Sequence, residues 1–168
     1  KRALTEARSR MQSMTVLYEK LYRSENVSEI SIAEYLPSLI REIVSTYGPE
    51  NHVALEIDAE DFELPVSVVT ALGIIINELV TNALKYAFPE GGEGAITVKA
   101  TCEVGRSVVT VTDDGVGLPP SVELGISGGF GLTLVASLAE QHGFDLSIER
   151  SGGTRFIIGV GETGPGEE

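Results

Sequence analysis

The chain has 168 residues, 42% of them hydrophobic, which fits one domain with an appendage and can bury a sizeable core. Its formal net charge of −13 argues against a broad surface for nucleic acid or an anionic membrane, so neither is predicted as a partner. The single cysteine, Cys102, allows no internal disulfide and fits a reducing, cytoplasmic compartment, and no uninterrupted apolar run is long enough to predict a transmembrane helix.

The N-terminal segment predicts a helix over residues 1 to about 24. Its apolar residues recur at helical spacings: Leu4, Met11, Met14, Leu17, Tyr18 and Leu21. Such a stripe needs a partner, either the rest of the domain or another helix, so a homodimer is one interpretation. The chain lacks an initiator Met and begins mid-pattern, and we interpret it as a fragment of a longer protein.

A second helix is predicted between Ser31, whose hydroxyl can cap it, and Tyr47. Glu34 completes an S-x-x-E capping box with Ser31. Alternation of apolar and polar residues then predicts a strand over 52–58, and a long apolar segment predicts a helix over about 66–87.

The second half of the chain predicts mostly strands. Its elements are, in order, strands over 94–103 and 106–113 joined by a turn at Val104-Gly105, a loop over 114–130, a helix over about 131–141, strands over 144–150 and 154–160, and a disordered tail over 161–168. Because the strands come in adjacent pairs, the order predicts an α+β fold with a mixed sheet and helices on one face.

The long helix changes character at its C-terminal half, where Glu78, Asn82 and Lys85 fall on one narrow stripe at about 100° per residue. One interpretation is that the helix surfaces here and its outer face is wet. The other is that the three groups point into a site, because an Asn with a nearby carboxylate can hold Mg²⁺ and a Lys can contact a phosphate. A carboxylate beside bound ATP can also take a proton from an incoming nucleophile.

Two glycine-rich stretches also allow both a structural and a functional interpretation. The run TVTDDGVG ends a strand and fits a simple turn, but its glycines could equally admit a ligand to which a carboxylate accepts a hydrogen bond. The run SGGFGLTLV places glycines before a helix, where free backbone N–H groups favour an anion such as phosphate. It fits neither a dinucleotide-binding fingerprint nor a Walker loop.

Four motifs in chain order resemble the N, G1, G2 and terminal Gly-Thr boxes of the Bergerat-type (GHKL) ATP-binding fold: NELVTNA, DDGVG, GGFGLTLV and GGT. The segment from Arg10 to Ile43 resembles the one preceding the ATPase domain in the HisKA_2 and HWE-like class of sensor histidine kinases. The resemblance implies a two-layer α/β sandwich with an N-terminal helical extension. It divides the chain into 1–27, from a dimerisation and phosphotransfer region, 28–160, an ATP-binding catalytic domain, and the tail.

The resemblance also implies a role for each matched residue. Glu78 would activate the acceptor imidazole, Asn82 would bind Mg²⁺, and Lys85 would contact a phosphate. The other expected nucleotide-binding residues are Tyr86 flanking the nucleotide, Asp113 at the adenine amino group with Gly115 and Gly117 shaping its pocket, Gly129 and Gly131 at the phosphates, Leu132, and Thr154 near adenine. Residues 118–130 would form the ATP lid.

The function so implied is transfer of the γ-phosphoryl group of Mg-ATP to a histidine, followed by passage to a response regulator. The acceptor histidine is expected on an upstream helix missing from this chain. Since His52 and His142 do not fit that position, autophosphorylation is not expected, although transfer to a helix supplied in trans is. The alternatives are a serine kinase of the anti-sigma type, a degenerate ATPase domain used for dimerisation or docking, and a conformational ATPase of the MutL or gyrase type.

Overall fold

The structure is a computed structural model that describes residues 28–47, 53–89, 92–103, 106–126 and 129–161. Its elements are β1 (Glu29–Ser31), α1 (Ile32–Tyr47), β2 (Val53–Ala59), β3 (Glu63–Pro65), α2 (Val66–Tyr86), β4 (Gly94–Glu103), β5 (Arg106–Asp113), α3 (Gly129–His142), β6 (Asp145–Glu149) and β7 (Thr154–Val160). Several predictions lie outside the described residues: the first helix, His52, the turn at Val104-Gly105 and the tail beyond residue 161.

Five strands form one mixed sheet in the order β2-β4-β5-β7-β6. Only β2 and β4 run parallel, and the other neighbours are antiparallel. Side chains on one face, such as Val98 and Ile158, are fully buried in the core, whereas Lys99 and Arg155 on the same strands are exposed. The predicted α+β class, with a mixed sheet covered by helices on one face, is therefore confirmed.

The helix α2 is the centre of the core, with fourteen of its 21 residues buried. Burial of its Leu, Ile and Val side chains contributes roughly 1.5–3 kcal/mol each. By length and composition α2 could also cross a membrane, but 67% of its most apolar window is buried inside the domain. Its hydropathy is therefore explained by packing between the sheet and the other helices.

The helix α1 begins as the capping motif predicts. The Glu34 backbone N–H donates to the Ser31 hydroxyl oxygen at 3.3 Å, and that hydroxyl donates to Asp61 at 3.1 Å. The apolar face of α1 is buried in the core, and its Tyr35 ring lies against Gly73 of α2, where no side chain would fit. Burial raises the pKa of Tyr35.

Two features of the chain differ from the predictions. The small antiparallel pair β1-β3 was not predicted, because each strand has three residues and only one buried side chain, Ile30 opposite Leu64. Helix α3 begins at Gly129, two residues before the predicted start at Gly131. Its end agrees with the prediction, since Gly143 has a φ of +65° and Phe144 N–H donates to the Ala139 carbonyl at 2.8 Å.

Candidate functional site

A cavity of about 400 Å³ lies between the C-terminal half of α2, the C-terminal end of β5, the N-terminal end of β7 and the loop that follows β5. This size is within the range of small-molecule sites. The lining residues are Leu79, Asn82, Ala83, Tyr86, Ala87, Val111, Asp113, Val116, Gly117, Leu118, Pro119, Val122, Leu132, Thr154 and Phe156. The wall is mostly apolar, with one carboxylate and few other polar side chains, which suits a flat aromatic ring that carries a hydrogen-bond donor.

Asp113, at the end of β5, is 7% exposed and lies in the wall of this cavity. Its Oδ1 accepts hydrogen bonds from the backbone N–H groups of Gly115, at 3.1 Å, and Thr154, at 3.3 Å. Burial raises the pKa of Asp113, and these hydrogen bonds partly oppose that shift. The carboxylate is thus held in a fixed position where it can accept a hydrogen bond from a ligand amino group.

The neighbouring carboxylate, Asp114, has a different environment. Its Oδ1 accepts a hydrogen bond from Ala95 N–H at 2.7 Å, and its own N–H donates to the Ala95 carbonyl at 3.3 Å. These contacts join the end of β5 to the start of β4, and Asp114 is exposed and outside the cavity wall. Of the two adjacent carboxylates, only Asp113 is therefore available to a ligand in the cavity.

The glycines of the G1 and Gly-Thr boxes bring separate backbone segments together. A Cβ on Gly115 would collide with the carbonyl of Ala87, the same oxygen that accepts a hydrogen bond from Val116 N–H at 2.9 Å. Gly153, at a φ of +122°, lies against the Asp113 carbonyl with no room for a side chain. These two glycines let backbone segments beside the cavity pack closely, and the sequence interpretation expected a role in shaping the pocket for Gly115 but none for Gly153.

The polar stripe of α2 is covered at Glu78, which is 5% exposed. The first turn of α3 lies over it: a Cβ built on Gly131 would be 2.7 Å from Glu78 Oε2 and 3.7 Å from Asn82 Nδ2. The side chains of Asn82 and Lys85 are half-buried. Glu78 is therefore not on a solvent-exposed helix face. The polar stripe lies beside the cavity, whose wall includes Asn82.

The structure brings most of the predicted site residues together. Six of them line the cavity: Asn82, Tyr86, Asp113, Gly117, Leu132 and Thr154. Of the others, Glu78 and Gly131 lie beside Asn82, and Gly115 binds the Asp113 carboxylate. Lys85 is on α2 outside the cavity wall. Within the part of the chain that the structure describes, no atom beyond its chain neighbours lies within 4 Å of the Cβ position of Gly129. The roles assigned to all eleven residues remain predictions.

The apolar wall was missed by the sequence reasoning. Leu79 and Ala83 recur with Tyr86 at the i, i+4, i+7 spacing of one helix face, and Val111 precedes Asp113 by two residues on the same strand face. Once Asn82 and Asp113 are taken as site residues, these periodicities identify their apolar neighbours. Val122 lies in the segment 118–130 that the resemblance assigned to a lid, whereas Phe156 on β7 had no signal, because only the fold brings it to the cavity.

The donor set of the site suits a metal ion that arrives with a ligand. The described residues contain no group of three or more His, Cys, Asp or Glu side chains that could hold an ion. Asn82 lines the cavity, and its side chain carries one amide oxygen. One amide oxygen fits a Mg²⁺ ion that is bound to a nucleotide, since Mg²⁺ retains several waters and takes phosphate oxygens as ligands.

Comparison with protein families gives two matches that together span most of the chain. The family described as histidine kinase-, DNA gyrase B- and HSP90-like ATPase matches residues 67–163. A histidine kinase family model matches residues 1–47. The first of these includes the whole of the cavity wall, and the second includes all of α1.

Individual relatives agree with these matches. The sensor histidine kinase PdtaS of Mycobacterium tuberculosis is 30% identical over 164 residues, 94% of this chain and 32% of its own length. The blue-light-activated histidine kinase 2 of Erythrobacter litoralis is 29% identical over 109 residues, 64% of this chain and 31% of its own. The chain thus spans about a third of the length of these curated relatives.

Solved structures show the same fold. A blue-light activated histidine kinase of Erythrobacter litoralis superposes with a TM-score of 0.81 at 24% identity, covering 92% of this chain and 53% of the other. The ATP-binding domain of PrrB from Mycobacterium tuberculosis gives 0.64 at 20% identity, covering 81% and 97%.

Proposed function

The chain belongs to the family of histidine kinase-, DNA gyrase B- and HSP90-like ATPases, with a histidine kinase segment before the ATPase region, and we propose that it transfers the γ-phosphoryl group of Mg-ATP to a histidine. The observation that carries this proposal is the Asp113 carboxylate, held by two backbone N–H groups in the wall of an otherwise mostly apolar cavity. Adenine has a flat apolar face and an exocyclic amino group that such a carboxylate can bind.

The adenine end of the proposed site is formed by Asp113, Thr154 and the apolar wall. Tyr86, although 59% exposed, lines the rim and can flank the base and ribose. The phosphates would then extend toward Asn82 and the first turn of α3, where backbone N–H groups at a helix N-terminus favour anions. Lys85, one turn beyond Asn82 on α2, is the only Lys or Arg in the sequence between Arg41 and Lys99.

The transfer itself needs few protein groups, because catalysis of phosphoryl transfer is mostly positioning and charge stabilisation. Asn82 would hold the Mg²⁺ ion that neutralises charge on the phosphates. An imidazole nitrogen forms the new bond to the γ-phosphorus while the bond to the bridging oxygen breaks and ADP leaves. Glu78 would accept the proton that the imidazole gives up.

The acceptor histidine is proposed to lie outside this chain. The segment that matches the histidine kinase family, residues 1–47, contains no histidine. In this proposal residues 1–27 belong to the dimerisation and phosphotransfer region, residues 28–160 form the cytoplasmic catalytic domain, and a response regulator receives the phosphoryl group afterwards. Pairing of two copies through the N-terminal segment is part of the same proposal.

The test is phosphoryl transfer in trans. The chain is incubated with radiolabelled Mg-ATP and the histidine-bearing helical hairpin of its full-length protein, with a His→Gln hairpin as control. We expect acid-labile label on the histidine hairpin, none on the control, and none with the Glu78→Ala chain. Acid-stable label would indicate a hydroxyl acceptor and hence a serine kinase. Tight ATP binding without transfer would contradict the kinase proposal and leave a nucleotide-binding domain.

A further inference from the structure

The first turn of α3 lies directly over a carboxylate of α2. Gly131 is the third residue of α3, and a Cβ built on it would be 2.7 Å from Glu78 Oε2. The next nearest atoms are Asn82 Nδ2 at 3.7 Å and Glu78 Cδ at 3.8 Å. Apart from its two chain neighbours and the backbone of its own helix, the three heavy atoms nearest to that point therefore all belong to the proposed site.

A glycine inside a helix needs a reason, because it is less favourable than alanine by roughly 1 kcal/mol. Gly131 has no left-handed φ, so its backbone does not require glycine. Gly129 differs in both respects: its φ is +73°, and apart from its chain neighbours no atom of the described residues lies within 4 Å of its Cβ position. Conformation thus explains the glycine at 129, whereas at 131 the absent side chain makes room for Glu78.

We propose that Gly131 is a positioning residue for Glu78: its missing side chain leaves the space in which the Glu78 carboxylate lies, beneath the first turn of α3. The inference rests on the proposed function, in which Glu78 takes the proton from the acceptor histidine. It concerns the absent side chain of Gly131, which is assigned to the carboxylate, and it leaves the backbone N–H groups of the first turn of α3 available to the phosphates.

The geometry also indicates what would yield if a methyl group were added. The Glu78 carboxylate is the end of a flexible side chain, whereas the helix backbone around Gly131 is anchored by the buried Leu132 and Val135. Gly131→Ala is therefore expected to displace the carboxylate and leave α3 in place. The loss then appears in phosphoryl transfer, with a small effect on stability and on ADP binding.

A double-mutant cycle tests the contact without reference to activity. Melting temperatures of the full chain are compared for Gly131→Ala in the wild-type, Glu78→Gln and Glu78→Ala backgrounds. We expect Gly131→Ala to raise the melting temperature with Ala at position 78, because the better helix former then meets no side chain, and to raise it less, or lower it slightly, with Glu or Gln there. Gly129→Ala is the matched control, and its effect should be the same in every background. An equal effect of Gly131→Ala in all three backgrounds would overturn the proposal.

The functional arm uses the trans assay and calorimetry with ADP. We expect Gly131→Ala to slow transfer at least tenfold while ADP affinity stays within twofold. Adding Glu78→Asp, which shortens the side chain, should recover part of that rate. A parallel loss of ADP affinity and transfer would instead assign Gly131 to the phosphates. If the wild type transfers nothing to histidine, the proposed function fails, and the melting cycle still decides whether Gly131 positions Glu78.

Discussion

Replacing Asp113 with Asn separates what the carboxylate does for a nucleotide from what its burial does to the fold. Burial is the largest influence on the pKa of Asp113 and raises it. A carboxylate whose pKa is higher in the folded than in the unfolded chain contributes stability at low pH, and that contribution is lost as pH rises through the folded pKa. Above the folded pKa the ionised Asp113 is therefore a cost to folding, which Asn does not carry.

The replacement also keeps the local structure. With its amide oxygen in the place of Oδ1, the introduced asparagine can accept the same hydrogen bonds from Gly115 and Thr154 N–H. Its amide nitrogen then faces the adenine amino group. Because both groups are hydrogen-bond donors, no hydrogen bond forms between them. Loss of a hydrogen bond to a charged group is worth about 1.5–3 kcal/mol, which corresponds to roughly 10- to 150-fold weaker ADP binding.

The assay combines thermal melting of the ligand-free chain as a function of pH with calorimetric titration of ADP. We expect Asp113→Asn to bind ADP weakly and to melt at an equal or higher temperature above the folded pKa of Asp113, with the difference shrinking as pH falls through that pKa. Asp114→Asn is the control, because Asp114 is outside the cavity wall and should leave ADP affinity within a few-fold. Unchanged ADP binding by Asp113→Asn, with a lower melting temperature at every pH, would refute this reasoning.

Other contacts in the structure make three more outcomes testable. Gly73→Ala should destabilise the fold by about 1–3 kcal/mol in a denaturant melt, because the Tyr35 hydroxyl group fills the position of the new methyl group. Tyr35→Phe in the same chain, which removes that hydroxyl, should recover part of the loss. Arg150 Nη2 donates a hydrogen bond to the carbonyl of Val122, in the cavity-lining loop, at 2.9 Å. Arg150→Ala should therefore release ADP roughly 2- to 10-fold faster in stopped flow, with an unchanged association rate. Equal dissociation rates of the two proteins would contradict a role of Arg150 in retaining ADP. Asn82→Ala should abolish the Mg²⁺-dependent gain in ATP affinity in calorimetry while metal-free ADP binding persists, and a gain that survives would remove Asn82 as a metal ligand.

Local patterns in the sequence were sufficient for most elements of the fold. Apolar periodicity and breakers predicted α1 and α2 closely, and β-branched runs predicted β4 over 94–103 and β5 over 106–113 with the observed bounds. The pair β1-β3 was not predictable in this way, because three-residue strands carry too few side chains for a pattern and depend on pairing between distant segments.

The residues of the candidate site could be predicted from sequence motifs, but their burial and packing in three dimensions could be predicted less well. Asp113, Asn82 and Thr154 were identified through their boxes, and the structure brings them to one cavity. The burial of Glu78 was not evident, since a polar stripe on a helix normally faces solvent. The burial of Glu78 depends on how α3 packs across α2. That tertiary contact cannot be predicted from the spacing of residues along either helix.

The most direct measurement of the proposed ATP site is a thermal melt of the chain with ADP at ~100-fold over its Kd, with and without Mg²⁺. Binding should stabilise the fold by about 2.7 kcal/mol. For a domain of this size that is a rise of roughly 5–10 °C, and the rise should be lost in Asp113→Ala. A folded wild-type chain whose melting temperature does not change with ADP would contradict the nucleotide site and, with it, the kinase activity proposed for this chain.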